Sequence, residues 1–222
     1  VADHPPIHVA PDVASIVALG VLVVEGVTVR ERDPALDEPL AAAETLIRTG
    51  GVPETDLSAT RAMYRRFGID PTKVRPSSEA LLRRIRKGEP LPRINTLVDV
   101  CNWCSAEFQL SYGLYDFDRI DGAIELRRGR AEEEYPGIRK EVVHAAGRPV
   151  LTDRLGPFGN PTSDSARTMV TASTARGLVV VYAPLELATR KLPPVLDVTA
   201  ARITTFAGGR EVARHIVVGK GP

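Results

Sequence analysis

Residues 91–128 read LPRINTLVDVCNWCSAEFQLSYGLYDFDRIDGAIELRR, and the pattern changes period midway. Ile94, Leu97, Val98, Cys101, Ser105 and Phe108 recur at three- and four-residue spacing. That spacing puts them on one face, so it predicts a core-facing helix over about 94–110. Asp99, Asn102 and Glu107 interrupt the stripe with polar groups. The runs at about 112–117 and 123–128 then take on strand character, with Asp121-Gly122 as a turn between them.

Upstream, the texture is helical after one apolar run. Val17 to Val29 reads as a buried hairpin or bent strand, with Gly20 and Gly26 as bulges or turns. Asp33-Pro34 opens a helix at about 34–49, closed by Gly50-Gly51. Asp56 or Ser58 caps a second at about 59–68. Pro76 and Ser77-Ser78 start a third at about 77–87, which Gly88 and Pro90 terminate. Downstream, strands are expected at about 149–152, 168–174 and 178–183. A last helix at about 185–206 should bend near Pro193-Pro194, and a polar tail follows. Helices first and strands later, without a long linker, read as an α+β fold in one domain, 1–222.

Composition narrows the classes. The chain has 222 residues, 43% hydrophobic and 26% charged, with a net charge of +1, as an ordinary globular protein does. The longest strongly apolar stretch, Ile16 to Val24, is too short for a membrane span, which needs about 20 residues. No signal-peptide pattern opens the chain. Its first residue, Val1, leaves open a trimmed chain or an alternative start codon. Two cysteines are too few for a disulfide scaffold and point to a reducing cytoplasm.

The near-zero net charge hides an asymmetry. Residues 1–60 carry ten acids and three bases, a net of −7. Residues 61–93 carry ten bases against Asp70, Glu79 and Glu89, a net of +7. Such a block can neutralise phosphates, or it can be a solvated helical face balancing the acidic segment.

Common catalytic motifs are missing. There is no phosphate-binding loop, dinucleotide fingerprint, His-Glu-x-x-His or Gly-x-Ser-x-Gly. His4, His8, His144 and His215 show no metal-ligand spacing, so no metal and no cofactor is expected. Cys101-Asn-Trp-Cys104 matches Cys-x-x-Cys, but it sits inside the expected helix and lacks a second ligand pair. Two semi-buried helix thiols are the expected reading.

The stretch 91–128 resembles the editing domain of the phenylalanyl-tRNA synthetase β subunit. In that family a helix reading roughly Asn-x-Val-Val-Asp-x-Thr-Asn-Tyr leads to Phe-Asp-Leu-Asp-x-Ile and a strand ending in Arg. Here Leu97-Val98-Asp99-Val100-Cys101-Asn102-Trp103 matches the first part. Tyr115-Asp116-Phe117-Asp118-Arg119-Ile120 matches the second, and Leu126-Arg127 the strand end. The upstream Arg75-Pro76-Ser77-Ser78-Glu79-Ala80-Leu81-Leu82 and the block Asn160 to Thr168 look like the freestanding branch of the family. The resemblance is strongest over 70–216. It implies an α+β body with a β-sandwich-like core flanked by helices. It also implies trans-editing hydrolysis of a mischarged aminoacyl-tRNA, canavanyl-tRNA for arginine being a substrate assigned in that branch, and tRNA as the partner. Nothing in 222 residues corresponds to the aminoacylation domains, so charging of tRNA is not expected.

The resemblance carries over residue by residue. Asn102 matches an Asn of the editing pocket. Cys101 stands in place of Thr. Gly113 stands where the synthetases have the editing His, which removes that side chain and is expected to open space for a different one. Thr171 falls where they carry a Glu that recognises tyrosine. These departures imply a substrate other than tyrosine. Asn102 and Thr171 are thus the catalytic candidates. Cys101, Gly113, Asp164, Ser165, Arg167 and Thr168 are the substrate-binding candidates, with Asp164 suited to an α-amino group or a cationic side chain. Arg65, Arg66, Arg75, Arg83, Arg84, Lys87 and Arg127 are the tRNA-binding candidates. Arg127 has an alternative role as an ion-pair partner of Asp99 or Glu125, while Asp116 and Asp118 are expected to hold turns.

Two other readings stay open. One is a non-catalytic tRNA- or RNA-binding module of the same fold, which the missing His favours. The other is a small-molecule amidase or esterase with Cys101 or Cys104 as nucleophile and His144 as its partner.

Overall fold

The computed structural model describes residues 5–52, 55–139 and 141–220; Val1, His4 and the side chain of Asp56 lie outside the described part. In chain order the elements are β1 (Ile7–Val9), α1 (Pro11–Ala14), β2 (Val17–Val27), α2 (Asp37–Arg48), α3 (Thr55–Arg66), α4 (Ser77–Arg86), α5 (Thr96–Phe108) and β3 (Ser111–Asp116). Then follow β4 (Ile124–Arg128), β5 (Glu134–Tyr135), β6 (Val143–His144), β7 (Pro149–Asp153), β8 (Gly156–Gly159), β9 (Arg176–Pro184), α6 (Leu185–Ala207) and β10 (Gly208–Val218). The fold is α+β. One sheet has the order β10-β2-β9-β3 and is antiparallel throughout. A second has the order β1-β4-β7-β8, in which β1 and β4 run parallel, and β5 pairs with β6 in a two-stranded sheet. Among the described residues no helix is long and apolar enough to cross a membrane.

β2 explains the assembly. Successive side chains of a strand point to opposite faces. Leu19, Val21 and Val23 meet Leu126, Leu151 and Phe158 of the second sheet, as a sandwich core. Ala18, Leu22 and Val24 meet the helical layer, including Leu97 of α5 and Leu192 of α6. A strand covered on both faces must be apolar at every position, which is why VALGVLVV has no alternation. Gly20 lies on the helical face. A Cβ there would sit 2.8 Å from Leu192 Cδ2, so its absence lets α6 approach the sheet.

Local signals set the boundaries. Asn95 caps α5 by accepting the Val98 N–H at 2.9 Å, and Gln109 ends it in the left-handed region at φ 58°. Asp33 accepts the Ala35 N–H and opens a 3-10 turn at Pro34–Leu36 that leads into α2. Pro193 and Pro194 lie inside α6 on its exposed side.

Of the two readings of the 17–29 run, the strand holds and the hairpin does not: Val17–Val27 is one strand, because β10 and β9 pair along both its edges. Two expectations fail. The 168–174 stretch is not a strand. One of its own hydroxyls turns its backbone, since Thr174 Oγ1 accepts the Thr171 N–H, and just before it Ser165 Oγ accepts the Arg167 N–H. The expected polar tail is β10, an edge strand whose exposed face alternates apolar and charged residues.

Candidate functional site

Between α4, α5, β3 and the 160–164 loop lies a cavity of about 460 Å³. Leu81, Val98, Leu114, Met169 and Val170 give it an apolar body, and Asn102, Ser105, Asn160 and Asp164 add polar groups. That size and lining suit a small-molecule group such as an amino-acid side chain. The helical period places Val98, Cys101, Asn102 and Ser105 on adjoining turns of the α5 face that looks into the cavity. The amide of Asn102 has no hydrogen-bond partner among the described residues and is only partly buried.

Asp164 is held by a compact loop. Asn160 Oδ1 accepts the N–H groups of Thr162 and Ser163, both at 2.8 Å, and Tyr64 donates to the Pro161 carbonyl at 3.1 Å. Tyr135 donates to the Ser163 carbonyl at 2.6 Å and accepts from Asn160 Nδ2 at 2.8 Å. The Asx turn at this place thus belongs to Asn160, and Asp164 is left to turn its carboxylate toward β3. There it accepts the Tyr115 hydroxyl at 2.8 Å and the Leu114 N–H, which β3 presents as an edge strand. Burial outweighs these two donors and pushes the carboxyl up to about 7. The Tyr115 hydroxyl also lies 3.3 Å from that of Tyr182, and burial raises both phenols well above their usual range.

The space that Gly113 leaves is taken by another side chain, that of Tyr115. A Cβ at Gly113, or at Gly159 opposite, would overlap the Tyr115 hydroxyl. The volume beside both glycines is filled by the phenol that reaches Asp164.

The remaining candidates scatter. Cys101 lines the cavity, but burial foremost, then the nearby Cys104 and Asp164, raises its thiol well above the usual range. Cys104 is buried and 3.5 Å from Arg202 Nη1. His144 is exposed, with Nδ1 3.3 Å from Glu134. A protonated buried thiol without a base is a poor nucleophile, which weighs against the cysteine-hydrolase reading. Thr171 lies just past the cavity residues Met169 and Val170, in a turn where its hydroxyl meets Ser173 Oγ at 2.9 Å. Ser165 caps a 3-10 turn, Thr168 donates to the Phe158 carbonyl at 3.4 Å, and neither lines the cavity. Arg167 is bound bidentately by Asp153, at 2.9 Å on both arms, and lies over the Phe158 ring. Asp116 caps the 3-10 turn at Phe117–Arg119 and accepts from Thr174 Oγ1 at 2.8 Å.

The basic candidates also divide. Arg127 pairs with Glu133 at 2.7 Å, and more distantly with Glu125, not with Asp99, which holds Arg93. Arg66 donates to the Ser15 carbonyl, Arg75 lies 3.5 Å from Glu79, and Arg84 pairs with Glu89. Arg65, Arg83 and Lys87 are exposed without an ion pair among the described residues. The sequence reading missed Tyr115, Asn160 and Asn95 as parts of the site, although Tyr115 and Asn160 stand inside the blocks it quoted. No metal-holding group of His, Cys, Asp and Glu occurs among the described residues.

The family described as the B3/4 domain matches residues 59–192. Among solved structures, the chain is similar to an N-terminal fragment of the phenylalanyl-tRNA synthetase β subunit from Pyrococcus horikoshii. The identity is 16% and the TM-score 0.47, over 95% of this chain and 53% of that one. The chain spans about half the length of that fragment. No curated protein matches the sequence.

Proposed function

Because the chain belongs to the B3/4 domain family, a unit of phenylalanyl-tRNA synthetase β subunits, we propose that it hydrolyses the ester of a mischarged aminoacyl-tRNA in trans. The observation that carries this reading is the meeting of Asn102 and Asp164 on one largely apolar cavity. The two residues lie far apart in sequence, and the unpartnered Asn102 amide is available to a ligand.

An aminoacyl ester is already activated. Its hydrolysis needs an oriented water and one or two donors for the developing oxyanion, and no nucleophilic triad. The terminal hydroxyl of the tRNA can assist. Asn102 supplies the donor. Asp164 faces the amino acid, either its α-amino group or a cationic head such as that of canavanine. A cation would hold Asp164 ionised and recover the burial cost of its charge, whereas an apolar side chain would leave that charge unpaired.

The test is a panel of labelled mischarged tRNAs, canavanyl-tRNA for arginine and tyrosyl-tRNA for phenylalanine included, beside correctly charged controls. Selective release of one wrong amino acid is expected, slowed about 100-fold or more by Asn102→Ala. No release from any of them, with tRNA still bound at low salt, would overturn hydrolysis in favour of a non-catalytic RNA-binding module.

A further inference from the structure

The cavity adjoins a second cleft. Val143, Asn160, Thr162 and Ser163 form a wall common to both. The second cleft, about 390 Å³, is lined by Lys73, Arg75, His144 and Arg148. Lys73 and Arg148 continue into a third depression beside Phe67. These adjoining depressions place Lys73, Arg75 and Arg148 outward from the cavity that Asp164 lines, and together they form a groove.

Two of these groups, Lys73 and Arg148, lack among the described residues the carboxylate that holds many other cations of the protein. Arg93, Arg127, Arg154, Arg167 and Arg214 are each held by carboxylates within about 3 Å. Lys73 and Arg148 have no ion-pair partner among the described residues. Arg75 is shared with Glu79, yet its Nε is buried without a hydrogen-bond partner. Beside it, the Ser77 hydroxyl is buried and unpartnered at the first turn of α4, on the cavity wall. Two acids lie beside the groove: Asp70, which accepts from Thr72 and also acts electrostatically on Lys73, and Glu134, which meets His144. At the cavity mouth Ile94 and Ile138 expose 40% and 44% of their surface, which offers flat apolar contact to bases.

We propose that this groove binds the backbone phosphates of a single-stranded RNA 3′ end whose terminal acyl group enters the cavity. Cations strung along an open channel suit successive phosphodiesters, whereas a free anion calls for donors converging on one point. The proposal rests on the deacylase reading for what occupies the cavity, and it names Lys73 and Arg148, which the sequence reading did not select. It moves the phosphate contacts from the outer face of α4 to the groove.

The test uses an uncharged RNA acceptor minihelix ending in CCA, 5′-labelled with fluorescein, and anisotropy titrations over a range of salt. Lys73→Gln with Arg148→Gln should weaken binding 10-fold or more and reduce the salt slope by about 1.4, for two single-strand phosphate contacts. Lys73→Arg with Arg148→Lys should retain binding, which excludes misfolding as the cause. Arg154→Gln with Arg210→Gln removes the same charge from exposed positions off the groove and should change affinity less than 2-fold. Equal loss in both pairs, no loss in the groove pair, or no binding by the wild type would overturn the proposal. Hydrolysis is scored separately. Groove-dependent binding without hydrolysis would overturn only the deacylase reading. Hydrolysis lost in Asn102→Ala, with the groove pair binding like wild type, would overturn only the groove.

Discussion

Tyr115 donates its hydroxyl to Asp164 at 2.8 Å while passing between Gly113 and Gly159, neither of which leaves room for a Cβ. Two segments distant in sequence thus cooperate to hold one carboxylate at the cavity. The arrangement makes Asp164 both a ligand candidate and a source of pH dependence.

The folded protein keeps the Asp164 proton up to about 7, whereas the unfolded chain releases it near 3.8. Between these values the folded state binds the extra proton, so this group's contribution to stability falls as pH rises through that window. Asp164→Asn should therefore raise the Tm relative to wild type more at pH 8 than at pH 4. Thermal melts of both proteins at the two pH values check this, and an equal difference at both would refute it. Affinity for methylguanidinium, which stays cationic throughout, should rise from pH 6 to pH 8 in the wild type and stay flat in the variant.

Gly113→Ala places a methyl group in the volume of the Tyr115 ring. Overpacking of this kind costs about 1–3 kcal/mol. It should also displace the phenol from Asp164. A urea midpoint shift of that size, with loss of the pH-dependent stability difference described above, is expected; an unchanged midpoint would mean that the ring moves freely.

Arg167→Ala leaves the fully buried side chain of Asp153 without its cation. Stripping a buried charge of its partner should cost about 2–3 kcal/mol here. Activity per folded molecule should persist, since Arg167 does not line the cavity. A large fall in activity with unchanged stability would instead return Arg167 to the substrate-binding set.

Iodoacetamide should modify neither Cys101 nor Cys104 in the native protein at pH 8. Both are buried, and burial raises both thiols. Mass spectrometry before and after unfolding in urea reads this directly. Rapid native alkylation accompanied by inactivation would reopen the thiol nucleophile.

Much of the fold is legible because local physics dictates it. The α5 stripe, the Asn95 cap and the uninterrupted apolar run of β2 each follow from period and capping chemistry. β10 was unreadable because an edge strand's identity comes from its partner. Its alternation of charged and apolar residues resembles a solvated tail until β2 is laid beside it. The 168–174 stretch misled in the opposite sense, since a side-chain hydroxyl turns a backbone that its Thr and Val content marked as extended.

The same division holds for the site. Sequence alone determined that α5 presents Asn102 and Cys101 on neighbouring positions of a core-facing helix, because a helix's period is local. It also marked residues 61–93 as strongly basic. Only the tertiary structure decided that Asp164 turns to Tyr115, that Gly113 makes room for that ring, and that Arg167 is taken by Asp153. It likewise decided which cations stay unpaired along the groove. Pairing and burial depend on which distant segments meet, and that is set by the packing of two sheets and a helical layer rather than by any local spacing.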